Sequence, residues 1–396
     1  MIDRDQFPIF SHQPDLIYLD SAATTHKPRS VIDALAHFYA AEYATVHRAI
    51  YRPSLEATER YNDTREIVRR FLNASHASEI VFTRGTTDAL NLVAASYARE
   101  ILKPGDEILI SVMEHHSNIV PWQMVAEQTG ALLKYIPVDE RGVLLWENAI
   151  GPKTKIIALA HVSNVTGTIN PIASLSRAAH LAGAVLVVDG AQGAPHIAVD
   201  VQKLGCDFYA FSGHKCYGPT GIGVLYGKKE LLEKMPPVQG GGDMIVRVDL
   251  DRTTYAAPPL RFEAGTPIIG GVIALKAALD FIEKIGRSKI ASHEDALLQC
   301  ATVQLAAIPG LRILGTAPEK GPILTFQIEG VHPLDLATFL DLKHIAIRSG
   351  HLCAQPAMRA FGLEAAARAS FGIYNTLNEV DRFCEAIQDA IRNLIT

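Results

Sequence analysis

The sequence runs to 396 residues, 48% hydrophobic and 20% charged, with 29 glycines and 21 prolines spread along it. This is the composition of a folded protein long enough for two packed units, and it excludes disorder and fibrous repeats. Lys and Arg number 37 against 42 Asp and Glu, a net charge of −5 with no long basic block, which argues against a dedicated nucleic-acid binder.

The N-terminus, MIDRDQFPIF, has no apolar run of signal-peptide length, and no stretch approaches the roughly 18 apolar residues of a membrane span. A cytoplasmic protein with no membrane partner is expected. The helical region, Arg29 to Tyr43 and Ser54 to Phe71, packs against a sheet or a neighbouring subunit. From about residue 79, short β-branched runs alternate with amphipathic stretches, the pattern of crossover units on a mainly parallel sheet. Strands are predicted at Glu79–Thr83, Glu107–Ser111, Leu132–Ile136, Lys155–Ala160, Val185–Val188, Asp207–Phe211 and Ile222–Tyr226. Helices are predicted at Thr87–Ile101, Ile119–Gln128 and Ile172–Leu181, the last between Pro171 and Gly183. The Gly- and Pro-rich segment 236–270 is long and irregular, which marks a site or an interface. Helices at Gly271–Ile285 and Arg287–Ala307 follow, then strands at Leu311–Leu314 and Ile323–Ile328. The fold class read from this order is α/β, with a large domain at 1–264 and a smaller α/β domain at 265–396.

The chemistry-bearing residues cluster at predicted strand ends. The string from Asp207 to Gly221 runs from an apolar strand into Ser212-Gly213-His214-Lys215 and turn residues, which presents an amine at the sheet's carboxyl edge. Desolvation there lowers a lysine's pKa and leaves it nucleophilic enough for a Schiff base with an aldehyde, although an isolated lysine in a loop is ordinarily a surface residue. The GxxxxG spacing of Gly213 and Gly218 is followed by Pro219-Thr220 instead of Lys-Ser/Thr, so a P-loop is excluded. Asp189 ends another strand, 26 residues before Lys215; it can pair a protonated pyridine nitrogen or simply cap a turn. Arg84-Gly85-Thr86-Thr87 lies between a strand and a helix start, where amides and hydroxyls either hold a phosphate or cap the helix. Ser212, His214 and Thr266 are further candidate phosphate ligands, and His115 reaches the same edge, where its flat ring can stack on a pyridine or serve a structural role. The five cysteines form no CxxC pair, and neither HExxH nor helically spaced histidines occur, so neither a disulfide framework nor a metal site is expected.

Together, Leu19–Thr25, Val46-His47-Arg48, Arg84–Thr87, Glu114-His115-His116, Asp189–Gln192, Ser212–Lys215, Phe262–Pro267 and Arg368–Phe371 resemble the class V, fold-type I pyridoxal phosphate (PLP) enzymes. Within them they resemble the group II, SufS-type cysteine desulfurases, and the likeness spans nearly the whole chain. It implies that Lys215 holds PLP as a Schiff base, Asp189 pairs the pyridine nitrogen, His115 stacks on the ring and Gln192 meets the phenolic oxygen. It further implies that Thr86, Thr87, Ser212 and His214 hold the phosphate, and that Thr266 reaches the phosphate of a neighbouring subunit, hence a homodimer. The loop Arg348-Ser349-Gly350-His351-Leu352-Cys353-Ala354-Gln355-Pro356 resembles the desulfurase nucleophile loop. Cys353 is then the nucleophile, with Arg348 and His351 favouring its thiolate. Asn164 and Arg368 bind the carboxylate of L-cysteine, and Arg348 adds a further cation beside the substrate. The implied reaction yields alanine and a persulfide for iron–sulfur cluster assembly on Suf scaffold proteins.

Leu352 stands where such loops commonly carry His, and Ala49-Ile50-Tyr51 where many relatives carry Gly, an aliphatic residue and His. His332-Pro333 is followed by Leu334, without the histidine that accompanies zinc-dependent SufU-type acceptors, so a SufE-type acceptor is favoured. Selenocysteine lyase and cysteine sulfinate desulfinase share the implied pocket and stand as alternatives; a non-catalytic assembly scaffold is the alternative outside enzymes.

Overall fold

The computed structural model describes residues 3–394. Its centre is a seven-stranded sheet built from β1 (Ile80–Thr83), β2 (Glu107–Ser111), β3 (Leu132–Ile136), β4 (Thr154–Ala160), β5 (Val185–Asp189), β6 (Phe208–Ser212) and β7 (Gly223–Gly227). The spatial order is β1-β7-β6-β5-β4-β2-β3. All strands run parallel except β7, which is antiparallel to both neighbours.

The inner strands are apolar on both faces because helices cover both. On one face Val81, Ile108, Ile110, Ile156 and Val187 pack with Leu90 and Trp122 of the flanking helices. On the other, Ile80, Phe82, Leu109, Ile157 and Val188 pack with Val68, Leu175 and Leu279. This alternation fixes register, since a one-residue slip would exchange the two sets.

The second unit is an antiparallel sheet of β8 (Leu311–Leu314), β9 (Ile323–Ile328), β10 (Arg348–Gly350) and β11 (Ala366–Ser370), ordered β8-β9-β11-β10. Leu324, Phe326, Ala367 and Ala369 face helices that contribute Leu298, Leu336 and Phe383. Thr325, Arg348 and Arg368 are register partners across β9, β11 and β10, on the face left to the large domain.

Core membership divides the chain later than the expected residue 265. The helix Ile269–Ile285 buries Val272, Leu275 and Leu279 in the large core, whereas the second core begins at Leu297 and takes in Ile17 and Leu19 from the N-terminal segment. The division by packing thus falls within the helix Arg287–Ala306. Two predicted helices also change pitch along their length. Thr86–Leu92 continues through π-helical turns at Val93–Ala98 to Arg99–Ile101, and Arg29–His37 passes into π-helical turns at Phe38–Glu42. Segment 236–270 contains a hairpin, Ile245–Val248 with Thr253–Tyr255, whose tip residue Leu250 is fully exposed. No helix among the described residues is long and apolar enough to cross a membrane, and no group of three or more His, Cys, Asp or Glu among them is placed to hold a metal.

Candidate active site

A cavity of about 200 Å³ opens at the carboxyl edge of the large sheet, where the small domain closes over it. Its floor follows from the order of β5 and β6. Asp189 ends β5, and β6 ends at Ser212, from which a single 3₁₀ turn, Gly213–Lys215, swings the lysine back over the edge. Burial lowers the Lys215 amine to about 8, with Asp189 opposing the shift and Arg368 and Arg348 adding to it. Asp189 is buried, its Oδ1 accepts only the Ala191 N–H at 2.9 Å, and desolvation raises its pKa while Lys215 counteracts.

One end of the cavity gathers hydroxyl, amide and imidazole groups. β1 delivers Gly85 to the start of the helix Thr86–Leu92, whose first two residues line the cavity. The Thr86 N–H donates to Ser212 Oγ at 2.8 Å, and the two hydroxyls lie 2.8 Å apart. His214 Nδ1 is 3.1 Å from Thr24 Oγ1, and burial followed by the charges of Lys215 and Lys27 lowers its pKa to about 4. The close approach of this loop to β7 requires glycine at 223, where a Cβ would lie 2.4 Å from Gly85 Cα.

His115 enters from the turn after β2. The Ser117 N–H donates to His115 Nδ1 at 3.1 Å, so Nδ1 carries the lone pair and Nε2 the proton. Burial, then neighbouring Lys215 and His116, lowers its pKa to about 3, so the ring is neutral. The turn is fastened from below by Glu114, which is wholly buried. It accepts from Ser111 Oγ, from Asn118 Nδ2 at 2.7 Å and from the Ala160 N–H at 2.8 Å, tying the ends of β2 and β4 together. Burial raises its pKa to about 8, against those hydrogen bonds.

The roof comes from the small domain. Arg348 and Arg368 stand directly opposite each other on β10 and β11. Like charges so placed repel unless an anion joins them. Arg368, 2% exposed, donates to Asn164 O at 3.0 Å and to Asp20 Oδ1 at 2.9 Å, and its Nε–H is buried without a partner. Asn164 Nδ2 donates to Leu352 O at 2.8 Å. Cys353 follows, half-buried, with Arg348 Nη2 3.6 Å from its Sγ. Leu352 and Cys353 both have φ of 55°, in the left-handed region that side chains avoid. Leu352 is 2% exposed and packs with Val165 and Met358, so it serves as the loop's apolar anchor. The other four cysteines are buried or sit in helix packing away from the cavity.

The residues present fit PLP on the structure's own terms: a desolvated lysine beside a buried carboxylate, a cluster of hydroxyl and amide donors, and Gln192. Gln192 Nε2 donates to Ala22 O at 2.6 Å, which leaves its Oε1 buried and unpaired for a ligand hydroxyl. Twelve of the thirteen sequence-predicted site residues line this one cavity. Thr266 does not; it is exposed on a separate surface depression beside Phe262 and Glu263. Its segment is anchored by Glu263, which takes a two-point ion pair from Arg65 at 2.7 and 2.8 Å, the Phe82 N–H at 2.8 Å and the Tyr61 hydroxyl at 3.1 Å. Glu114, Asp20 and Ser117 are the participants that sequence reasoning did not assign roles. The signal for Glu114 was a charged residue inside an apolar strand-to-turn segment, and for Asp20 its place beside Ser21 at a short strand's end.

The profile described as "Aminotransferase class-V" matches residues 17–383. A "Probable cysteine desulfurase" of Halalkalibacterium halodurans is 52% identical over 96% of this chain and 95% of its own length. "Probable cysteine desulfurase 1" of Mycobacterium leprae is 49% identical over 97% of this chain, which spans 64% of that longer relative. Among solved structures, the cysteine desulfurase CsdA of Escherichia coli is 45% identical, with a TM-score of 0.93 over 99% of this chain and 98% of that one.

Proposed function

The chain belongs to the class-V aminotransferase family and, within it, to the cysteine desulfurases, and from that premise we propose that it takes sulfur from free L-cysteine, releasing L-alanine and keeping the sulfur as a persulfide on Cys353. The observation that carries this reading is one cavity lined by Lys215 on its floor and Cys353 on its roof, with Arg348 beside the thiol.

Bound in this cavity, pyridoxal phosphate supplies an electron sink that weakens the bonds at the substrate's Cα. Thr86, Thr87, Ser212 and His214 would hold its phosphate, Asp189 and Gln192 its polar ring atoms, and His115 would stack on its ring. Lys215, with a pKa near 8, takes the Cα proton in its neutral form and returns a proton in its charged form. Arg368 and Asn164 orient the substrate carboxylate between the two guanidinium groups, and a planar fork makes two bonds where an ammonium makes one. His115 moves the proton at the substrate sulfur through Nε2. The Arg348 guanidinium, 3.6 Å from Cys353 Sγ, is the cation that faces the attacking sulfur. That sulfur attacks the substrate sulfur: an S–S bond forms, the C–S bond breaks, and the released pair on Cβ takes a proton to give alanine.

The sulfur then passes to iron–sulfur cluster assembly on Suf scaffold proteins in the cytoplasm. A SufE-type acceptor is favoured as the partner, because the exposed residue after His332-Pro333 at the start of the helix Pro333–Asp341 is Leu334, where the histidine that accompanies zinc-dependent acceptors is missing. Thr266 lies outside its own chain's cavity, as a residue serving the second subunit of a homodimer would. Product analysis with L-cysteine tests the activity. Alanine in step with sulfane sulfur on Cys353, lost in Cys353→Ala while cysteine sulfinate or selenocysteine is still turned over, supports the reading. Pyruvate as product, or unchanged cysteine turnover by Cys353→Ala, overturns it.

A further inference from the structure

The nucleophile loop belongs to the small domain, yet two of its fastenings end on one residue of the large domain. The His116 N–H donates to Cys353 O at 2.8 Å, and His116 Nε2 accepts the Gln355 N–H at 3.3 Å. Within the loop, His351 Nδ1 accepts the Cys353 N–H at 3.1 Å, and the His116 and His351 rings lie 5.5 Å apart. Gly350, Leu352 and Cys353 all have positive φ, a conformation that persists only while surrounding contacts hold it.

We propose that His116 is a positioning residue that docks the Cys353 loop on the large domain while its imidazole is neutral, so that acidification releases the loop. The proposal rests on the reading of Cys353 as the nucleophile. Each ring accepts an amide proton through a nitrogen lone pair, and a protonated imidazole has none. Protonation of His116 would leave the Gln355 amide unpaired and weaken the loop's hold on the large domain.

The titratable and charged groups facing this contact are His351 and Cys353 on the loop, His115 on the same turn and Arg348 beside the thiol. Burial, then the proximity of His351, lowers the pKa of His116. The docked ring therefore resists protonation, and by linkage docking is fully favoured above the ordinary imidazole pKa of about 6.5 and weakens as pH falls below it. Release would carry a sulfur-loaded thiol out of a cavity of only about 200 Å³.

The test uses the PLP-loaded enzyme without cysteine, so its outcome is independent of whether alanine is ever formed. Hydrogen exchange at the Cys353 and Gln355 amides, corrected for intrinsic rates, is compared at pH 8 and 5.5, and alkylation of Cys353 by iodoacetamide is followed by mass spectrometry at pH 7.5. Wild-type protection should fall at pH 5.5. His116→Ala should alkylate about 3- to 10-fold faster, the equivalent of one net hydrogen bond. His116→Gln, which keeps an acceptor but does not titrate, should stay near the wild-type rate and lose less protection at pH 5.5. Circular dichroism confirms that both variants are folded. Wild-type alkylation rates in His116→Ala, or equal protection at the two pH values in the wild type, would overturn the proposal.

Discussion

Glu263 offers a quantitative test of how the rim of the cavity is held. It and Arg65 are 5% and 7% exposed, and the carboxylate also takes the Phe82 N–H and the Tyr61 hydroxyl. Removing it by Glu263→Ala leaves a buried guanidinium that keeps Ile80 O, at 2.7 Å, and its place against the Tyr61 and Phe82 rings but no counter-charge, together with an unpaired strand amide and a phenol that has lost its acceptor. Breaking one side of a buried ion pair costs about 3–5 kcal/mol, whereas replacing both sides with apolar residues of similar volume is near neutral. Arg65→Met/Glu263→Met still strands the Phe82 N–H and Ile80 O, at about 1 kcal/mol or more each, so it should cost roughly 2 kcal/mol less than Glu263→Ala alone. Equilibrium urea unfolding followed by far-ultraviolet circular dichroism measures both. Cofactor absorbance read alongside should fall with Glu263→Ala, because Thr266 is three residues away on the segment that Glu263 anchors. A loss under 1 kcal/mol for Glu263→Ala, or a double variant as costly as the two single changes added together, would show that the charge is solvated or replaceable and would refute this reasoning.

Arg368→Lys should lower kcat/KM for cysteine about 10²-fold or more, since one ammonium cannot serve Asp20, Asn164 O and a carboxylate together and about two charge-assisted bonds at roughly 1.5–3 kcal/mol each are at stake; a change under fivefold would remove Arg368 from the substrate site. Gly223→Ala should drive the phosphate loop off β7, because its Cβ would meet Gly85 Cα at 2.4 Å. PLP affinity measured by equilibrium dialysis should fall at least tenfold, with the fold retained by circular dichroism. The rate at which apo-protein recaptures PLP should rise with pH and level off above about 8, because the Lys215 amine must be neutral to attack and burial lowers its pKa to that value. A rate still climbing at pH 10 would indicate a lysine with an ordinary pKa.

Much of the fold is legible in the chain's punctuation. Glu107–Ser111, Leu132–Ile136, Ile172–Leu181 and Ile323–Ile328 agree residue for residue with prediction, because the strands are short runs rich in apolar residues and the helix is an amphipathic stretch set between Pro171 and Gly183. β10 and β11 are not legible. Arg-Ser-Gly and Ala-Ala-Arg-Ala-Ser have little β-branched character, and cross-strand pairing in the folded small domain makes them strands. The closing helix Leu377–Leu394 does carry a readable stripe, Val380, Phe383, Cys384 and Ile387, at helical spacing. In the site, lysine, aspartate and cysteine are recognisable by type and setting. Glu114 and Asp20 acquire their roles only from which strand ends become neighbours, and that is a property of topology.

The reversed strand β7 has a consequence for biosynthesis. By inserting antiparallel between β1 and β6 it brings Thr86 to Ser212, residues 126 apart in the chain, and pairs Ile80 with Tyr226. A nascent chain that has not emerged through residue 227 has no place to seat a phosphate, whatever its helices have done. Once the helix Ile269–Ile285 has also joined the large core, the sheet edge, Asp189 and Lys215 are all available, while the strands bearing Arg348 and Arg368 are still to be translated. The order of synthesis therefore allows the coenzyme to be in place before the thiol that uses it, so that the reactive loop closes over a filled floor.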